Sequence, residues 1–172
     1  MDKLFELISI EKDQLRLHLR DFIIESNRIS GVTQKICKDD ADAYEDLLRL
    51  NKLTIESLLE LLQFICPQGR LRSRTGMDVK RGDHTPPLGG YDVVKELTEL
   101  LRVINESAYK GYGTKVAFAT HLMFERLHPF TEGNSRVGRA IWLWLMWHDM
   151  DAMQRGFLQS FYFQTLQAHK SG

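Results

Sequence analysis

The segment Asn134–His148, NSRVGRAIWLWLMWH, limits the fold more than any other part of the chain. Its apolar residues do not form a stripe but run nearly all the way round a helix. Such a helix has to be enclosed on every side. The apolar run at 141–147 is far too short to cross a bilayer, so the enclosure must come from the protein itself. A chain of 172 residues that is 43% hydrophobic can supply it within one domain.

Helical periodicity accounts for most of the remaining sequence. Leu15, Leu19, Phe22 and Ile23 form a stripe that ends at Gly31, a residue suited to a left-handed helix cap. Leu47, Leu48, Leu58, Leu59, Leu62 and Ile65 form a second helical region, broken near Asn51 and stopped by Pro67-Gln68-Gly69. Val94, Leu97, Leu101 and Ile104 predict a third helix, and Val116, Ala119, Leu122 and Met123 a fourth. An amphipathic stretch at 157–166 closes the chain. Residues 70–87 break the pattern with glycines and Pro86-Pro87, and predict a short β-hairpin on a helical body. No repeat or linker divides the chain, so the expectation is one all-α domain over 1–172 with a hairpin flap at 69–87.

Lys plus Arg and Asp plus Glu both number 23, giving zero formal net charge. A generic polyanion binder carries a positive surplus, so no specific nucleic-acid partner is expected and any phosphate chemistry must be local. Cys37 and Cys66 are too few for a disulfide framework or a four-thiolate zinc site. The opening residues lack a signal-peptide pattern, so a cytoplasmic protein without a membrane partner is the default expectation.

The chemistry is concentrated in residues 128–139, HPFTEGNSRVGR. Pro129 stops the preceding helix. Gly133 permits close backbone approach, and Asn134 suits the N-cap of the buried helix. Unpaired N–H groups at a helix start favour an anion. Arg136 and Arg139, three apart, share a face and suit a polyphosphate. Glu132 can hold a divalent ion alongside substrate phosphates. His128 is a base whose ordinary pKa lies near neutrality. Together these residues fit phosphoryl or nucleotidyl transfer.

The same segment resembles the Fic (filamentation-induced-by-cAMP) signature HPFx[DE]GNxRxxR at every defined position. The helix ahead of it (119–127), the segment 69–87 ending in Pro86-Pro87, and the C-terminal FYFQTL are also similar to the family, so the likeness covers roughly 15–168. It implies a Fic fold with a catalytic core over 113–150, and AMP transfer from ATP to a Ser, Thr or Tyr hydroxyl of a target protein. By that resemblance His128 is the general base and Glu132 holds Mg²⁺ or Mn²⁺. Asn134 and the N–H groups around Gly133 meet the α-phosphate, while Arg136 and Arg139 hold the β- and γ-phosphates. Phe130 anchors the loop in the core. Met77, Asp78, Val79 and Lys80 in the flap dock the target by main-chain pairing. Self-modification and homodimerisation are further family expectations. Gly133 and Arg139 favour AMP transfer over the phosphorylation catalysed by Doc-type relatives.

Many Fic proteins carry an inhibitory helix, [ST]xxxE[GN]. Here Ser26-Asn27-Arg28-Ile29-Ser30-Gly31 keeps the layout of that degenerate element within 1–31, but Ser30 stands at the glutamate position. Either the helix no longer inhibits, or the register differs and Glu25 takes a part. The first is preferred, because serine lacks the charge and length of a carboxylate. His121 and the three tryptophans read as structural, and Arg70, Arg72, Arg74, Lys80 and Arg81 as a solvated hairpin face. Tyr91 is a candidate for lining the adenine pocket. A non-catalytic nucleotide-binding module of the same fold, and transfer of another phosphate-containing group, stand as the alternatives.

Overall fold

The computed structural model describes residues 16–17, 19–33, 38–80 and 84–148. The 157–166 stretch, Leu15, Cys37 and the flap residues Arg81, Gly82 and Asp83 lie outside them. The described residues are mostly helical: α1 (19–29), α2 (Lys38–Leu48), α3 (Ile55–Ile65), α4 (Tyr91–Tyr109), α5 (Gly113–Leu127) and α6 (Asn134–His148).

α6 is the central helix. Val137 through Met146 are all buried, and α2, α3, α4 and α5 pack round it. Trp142 stacks on Phe22 of α1, with ring centroids 6.4 Å apart and 4° between planes. Trp144 donates its indole N–H to the Leu50 carbonyl at 3.0 Å, so the buried indole nitrogen is satisfied. The tryptophans at 142 and 144 are therefore core residues.

The expected break near Asn51 falls between α2 and α3. Thr54 starts α3 with a capping box, its hydroxyl accepting from Ser57 N–H while the Ser57 hydroxyl accepts from Thr54 N–H. Asn105 of α4 secures the same turn, bonding both the N–H and the carbonyl of Leu53. α1 ends at Gly31, which takes φ +68 as expected of a left-handed cap.

One predicted stripe is changed at a single residue and another is displaced. On α4 the buried residue is Val93 rather than Val94, with Leu97, Leu100, Leu101 and Ile104. On α5, Met123 is 52% exposed, and the buried face is Ala117, Thr120, His121, Phe124 and Leu127. The periodicity misled because that face is partly polar. The Thr120 hydroxyl lies 3.1 Å from the Val116 carbonyl and 3.0 Å from that of Ala117. His121 lies against Gly138, where a Cβ would come within 3.0 Å of the imidazole. Small and polar groups thus let α5 approach α6 closely.

The segment at 69–87 is anchored outside itself. Among the described residues it pairs with the 129–131 loop, through an antiparallel bridge between Leu71 and Phe130. Arg72 N–H donates to the Pro129 carbonyl at 2.9 Å, and Thr131 N–H to the Arg70 carbonyl at 2.8 Å. No helix in the described residues is long and apolar enough to cross a membrane.

Candidate active site

α5 stops at His128, which caps it in the left-handed conformation, φ 49 and ψ 58. For a non-glycine residue that geometry costs about 1–2 kcal/mol, so the surroundings must hold it. They do so at both ends of the residue. His128 N–H donates to the Phe124 carbonyl at 2.9 Å, and the His128 carbonyl accepts from Arg72 Nη1 at 3.1 Å. The left-handed turn sends the chain back toward α6, with Phe130 fully buried against Phe124.

The loop closes on Asn134. Phe130 N–H donates to Asn134 Oδ1 at 2.8 Å, and Asn134 Nδ2 donates to the Phe130 carbonyl at 2.7 Å. The N-cap of α6 therefore falls on Gly133, whose carbonyl accepts the first helical bond from Val137 N–H at 3.0 Å. Asn134 fixes the loop rather than capping the helix. Asn134→Ala would leave both backbone groups of Phe130 buried and unpaired. We expect a stability loss of about 2–4 kcal/mol, measured by urea unfolding.

Gly133 has φ +82, and a Cβ there would lie 2.7 Å from Leu62 Cδ1 and 3.0 Å from Cys66 Cβ. The close approach anticipated at this glycine is thus to the end of α3. Glu132 is exposed above it, its Oε2 accepting from Gln68 Nε2 at 3.1 Å and lying 3.8 Å from Cys66 Sγ. Burial pushes the Cys66 thiol up from its ordinary pKa, Arg136 opposes, and Glu132 adds to the rise. The thiol is therefore a neutral packing group.

Arg136 donates Nη1 to the Ile65 carbonyl at the end of α3. Arg139 is 2% exposed and turns toward α1. Its Nε donates to Ser26 Oγ at 2.8 Å, and its Nη2 to the Ser26 carbonyl at 2.7 Å and to Ser30 Oγ at 2.5 Å. Ser30 reaches the guanidinium but brings no charge. Tyr44 lies behind Ser26 and hydrogen-bonds it; burial raises the phenol above its ordinary value, against the pull of Arg139 and Arg136. Glu25 pairs with Arg28 at 2.7 and 2.5 Å, which holds its carboxyl below the ordinary value, and Arg139 adds a smaller pull in the same direction. Among the described residues neither Arg136 nor Arg139 forms an ion pair.

These groups surround a cavity of about 310 Å³. Ile29, Ser30 and Val32 form the wall from the end of α1. His128, Glu132, Gly133, Asn134, Ser135, Arg136 and Arg139 line it from the loop and the first turns of α6. The cavity thus gathers an imidazole, a carboxylate, two guanidiniums and a helix N-terminus, an arrangement suited to a phosphorylated ligand. A family model described as the Fic/DOC family matches residues 41–146. The chain belongs to the Fic/DOC family.

The match runs from α2 into the end of α6, so α1 with Ser26 and Ser30 lies ahead of the matched Fic span. Membership makes the chain a Fic-type transferase in general terms. Every residue of the 128–139 motif picked out from the sequence lies on the loop or the first turns of α6. The flap residues Met77, Asp78, Val79 and Lys80 do not line the cavity, and neither does Tyr91, the first residue of α4. The Met77 main chain is engaged within the flap. Its N–H donates to the Arg74 carbonyl at 3.2 Å, and its carbonyl accepts from Arg72 Nε at 3.0 Å.

Sequence reasoning missed Arg72. Placed with the solvated basic residues, it is instead fully buried, while Arg70, Arg74 and Lys80 are exposed as expected. Strand alternation would put Arg70 and Arg72 on one face, yet only Arg72 is buried, so no local pattern marks it.

Proposed function

We propose that the chain transfers AMP from ATP to a hydroxyl of a protein. The observation that carries this reading is the pair Arg136 and Arg139, which make no ion pair among the described residues, beside His128 and Glu132 at one cavity. A cavity of about 310 Å³ suits a nucleotide's phosphate tail. In the reaction the target oxygen forms a bond to the α-phosphorus as the bond from that phosphorus to the bridging oxygen breaks. Pyrophosphate leaves. His128 takes the hydroxyl proton. Arg136 and Arg139 neutralise the departing pyrophosphate, and the N–H groups at the start of α6 face the α-phosphate. Asn134, committed to Phe130, keeps those N–H groups aimed. Target docking falls to Met77, Asp78, Val79 and Lys80.

The residues present fit a substrate-borne Mg²⁺ or Mn²⁺. Glu132 is the one carboxylate lining the cavity, and no group of three or more metal-binding side chains occurs among the described residues. Mg²⁺ commonly takes one or two carboxylates and completes its shell with phosphate and water. Glu132 would hold it, and the ion would supply charge neutralisation between phosphates.

Regulation follows from the same contacts. The end of α1 holds Arg139 through uncharged oxygens, a weaker restraint than a carboxylate, which a phosphate can displace. On this reading the protein is derepressed. Ser30→Glu should set an ion pair on Arg139 and lower AMP transfer about 10–100-fold, the worth of a hydrogen bond to a charged group. Equal rates in the two proteins would remove the derepression.

The reaction itself is tested by incubating the protein in a lysate with Mg²⁺ and ATP labelled at the α- or the γ-phosphate. Protein labelled from the α-phosphate alone is the expected result. Label from the γ-phosphate would make the protein a kinase, and no label despite ATP binding would make it a binding module.

A further inference from the structure

We infer that Arg72 is a positioning residue that couples the flap to His128, so that the base is aimed according to where the flap stands. The inference rests on the reading of His128 as the general base.

Arg72 is fully buried, and its guanidinium divides between two parts of the molecule. Nε donates to the Met77 carbonyl at 3.0 Å and Nη2 to the Pro87 carbonyl, on the two arms of the flap. Nη1 donates to the His128 carbonyl at 3.1 Å. The main chain of Arg72 repeats the link, its N–H donating to the Pro129 carbonyl and its carbonyl accepting from Gly90 N–H, both at 2.9 Å. A planar fork with fixed donors transmits displacement in a way a flexible ammonium does not.

The position of the contact gives it consequence. His128 is the only non-glycine residue with positive φ among the described residues. Its carbonyl lies at the C-terminal end of α5, where a cation is favoured. The backbone at residue 128 sets the direction of the imidazole, and Arg72 holds that backbone from the carbonyl side. Burying a guanidinium against neutral carbonyls is costly. Burial lowers its pKa from the ordinary value, with nearby Asp78 opposing the shift. The flap has its own closure, Asp78 Oδ1 accepting from Gly89 N–H at 2.7 Å. It is also tied to α5 where His84 Nε2 meets the Arg126 carbonyl at 2.9 Å. Arg72 is the side chain that joins this closed flap to the base. A target strand laid on the flap would therefore be sensed at His128 without touching it.

The test compares the wild type with Arg72→Lys and Arg72→Gln. It reads ATP–Mg²⁺ affinity, the rate of protein labelling from α-labelled ATP at saturation, and amide exchange at 76–80 and 128–131. The expected result for Arg72→Lys is ATP affinity within about threefold of wild type and a labelling rate about 100-fold lower, the usual effect of a small misplacement. Arg72→Gln should lose more, and exchange should quicken in both segments together. Unchanged labelling, a loss explained wholly by ATP affinity, or quickened exchange in the flap alone would each overturn the inference.

If neither variant folds, Asp78→Ala decides, since it loosens the flap from an exposed position. Faster exchange at 128–131 supports the coupling, and exchange confined to 76–80 and 89–90 overturns it. If the wild type labels nothing from ATP, the transferase reading fails, and the exchange measurements still judge the coupling.

Discussion

Replacing His128 with alanine is expected to lower transfer about 10³-fold, the usual worth of a general base, with ATP affinity nearly unchanged. The imidazole lines the cavity, but the phosphate-facing groups lie on α6 and do not depend on it. Alanine also faces the left-handed backbone at this position, which adds a modest loss of stability. His128→Asn separates the two effects, because asparagine accepts that conformation. It should unfold like the wild type and still lose transfer by a similar factor. The comparison is made with single-turnover labelling and a urea curve for each protein. An Asn variant that transfers at the wild-type rate would show that residue 128 matters for its backbone alone.

The second large effect is expected at Gly133. Alanine there puts a methyl group 2.7 Å from Leu62 Cδ1 and 3.0 Å from Cys66 Cβ, at a φ of +82. Overpacking usually costs about 1–3 kcal/mol, and the left-handed backbone about 1–2 kcal/mol. The sum, about 2–5 kcal/mol, is a large part of ordinary domain stability. The α6 N-terminus would also shift away from α3, carrying Arg136 with it. Gly133→Ala should therefore show both a lower urea midpoint and weaker ATP binding. An alanine variant with wild-type stability would mean that α3 and the loop separate without cost.

The fold and the motif were legible for one reason: their signals are local. An all-round apolar run marks α6, a glycine marks the end of α1, and the spacing within 128–139 sets its groups on one loop and one helix start. What was not legible depends on how the chain folds back on itself, from far away or, as at Asn134, from four residues off. Arg72 reads as a surface cation until the 129–131 loop and the flap cover it from both sides. Asn134 reads as a cap until Phe130 turns back onto it. Ser30 reads as no substitute for a carboxylate, and its 2.5 Å contact with Arg139, 109 residues away, has no local signal. The α5 stripe failed because Thr120 and His121 are buried with their helix against Gly138, and a hydrophobicity pattern does not register a polar face of that kind. In each case the residue type was visible and its environment was not.

The proposed transfer requires ATP to lie between the end of α1 and the start of α6. A crystal structure of His128→Ala with ATP and Mg²⁺ tests it most directly. The β- and γ-phosphates are expected on Arg136 and Arg139, with Arg139 released from Ser30, and the α-phosphate at the α6 N-terminus facing residue 128. A nucleotide bound elsewhere, or one with its γ-phosphate facing residue 128, would contradict it.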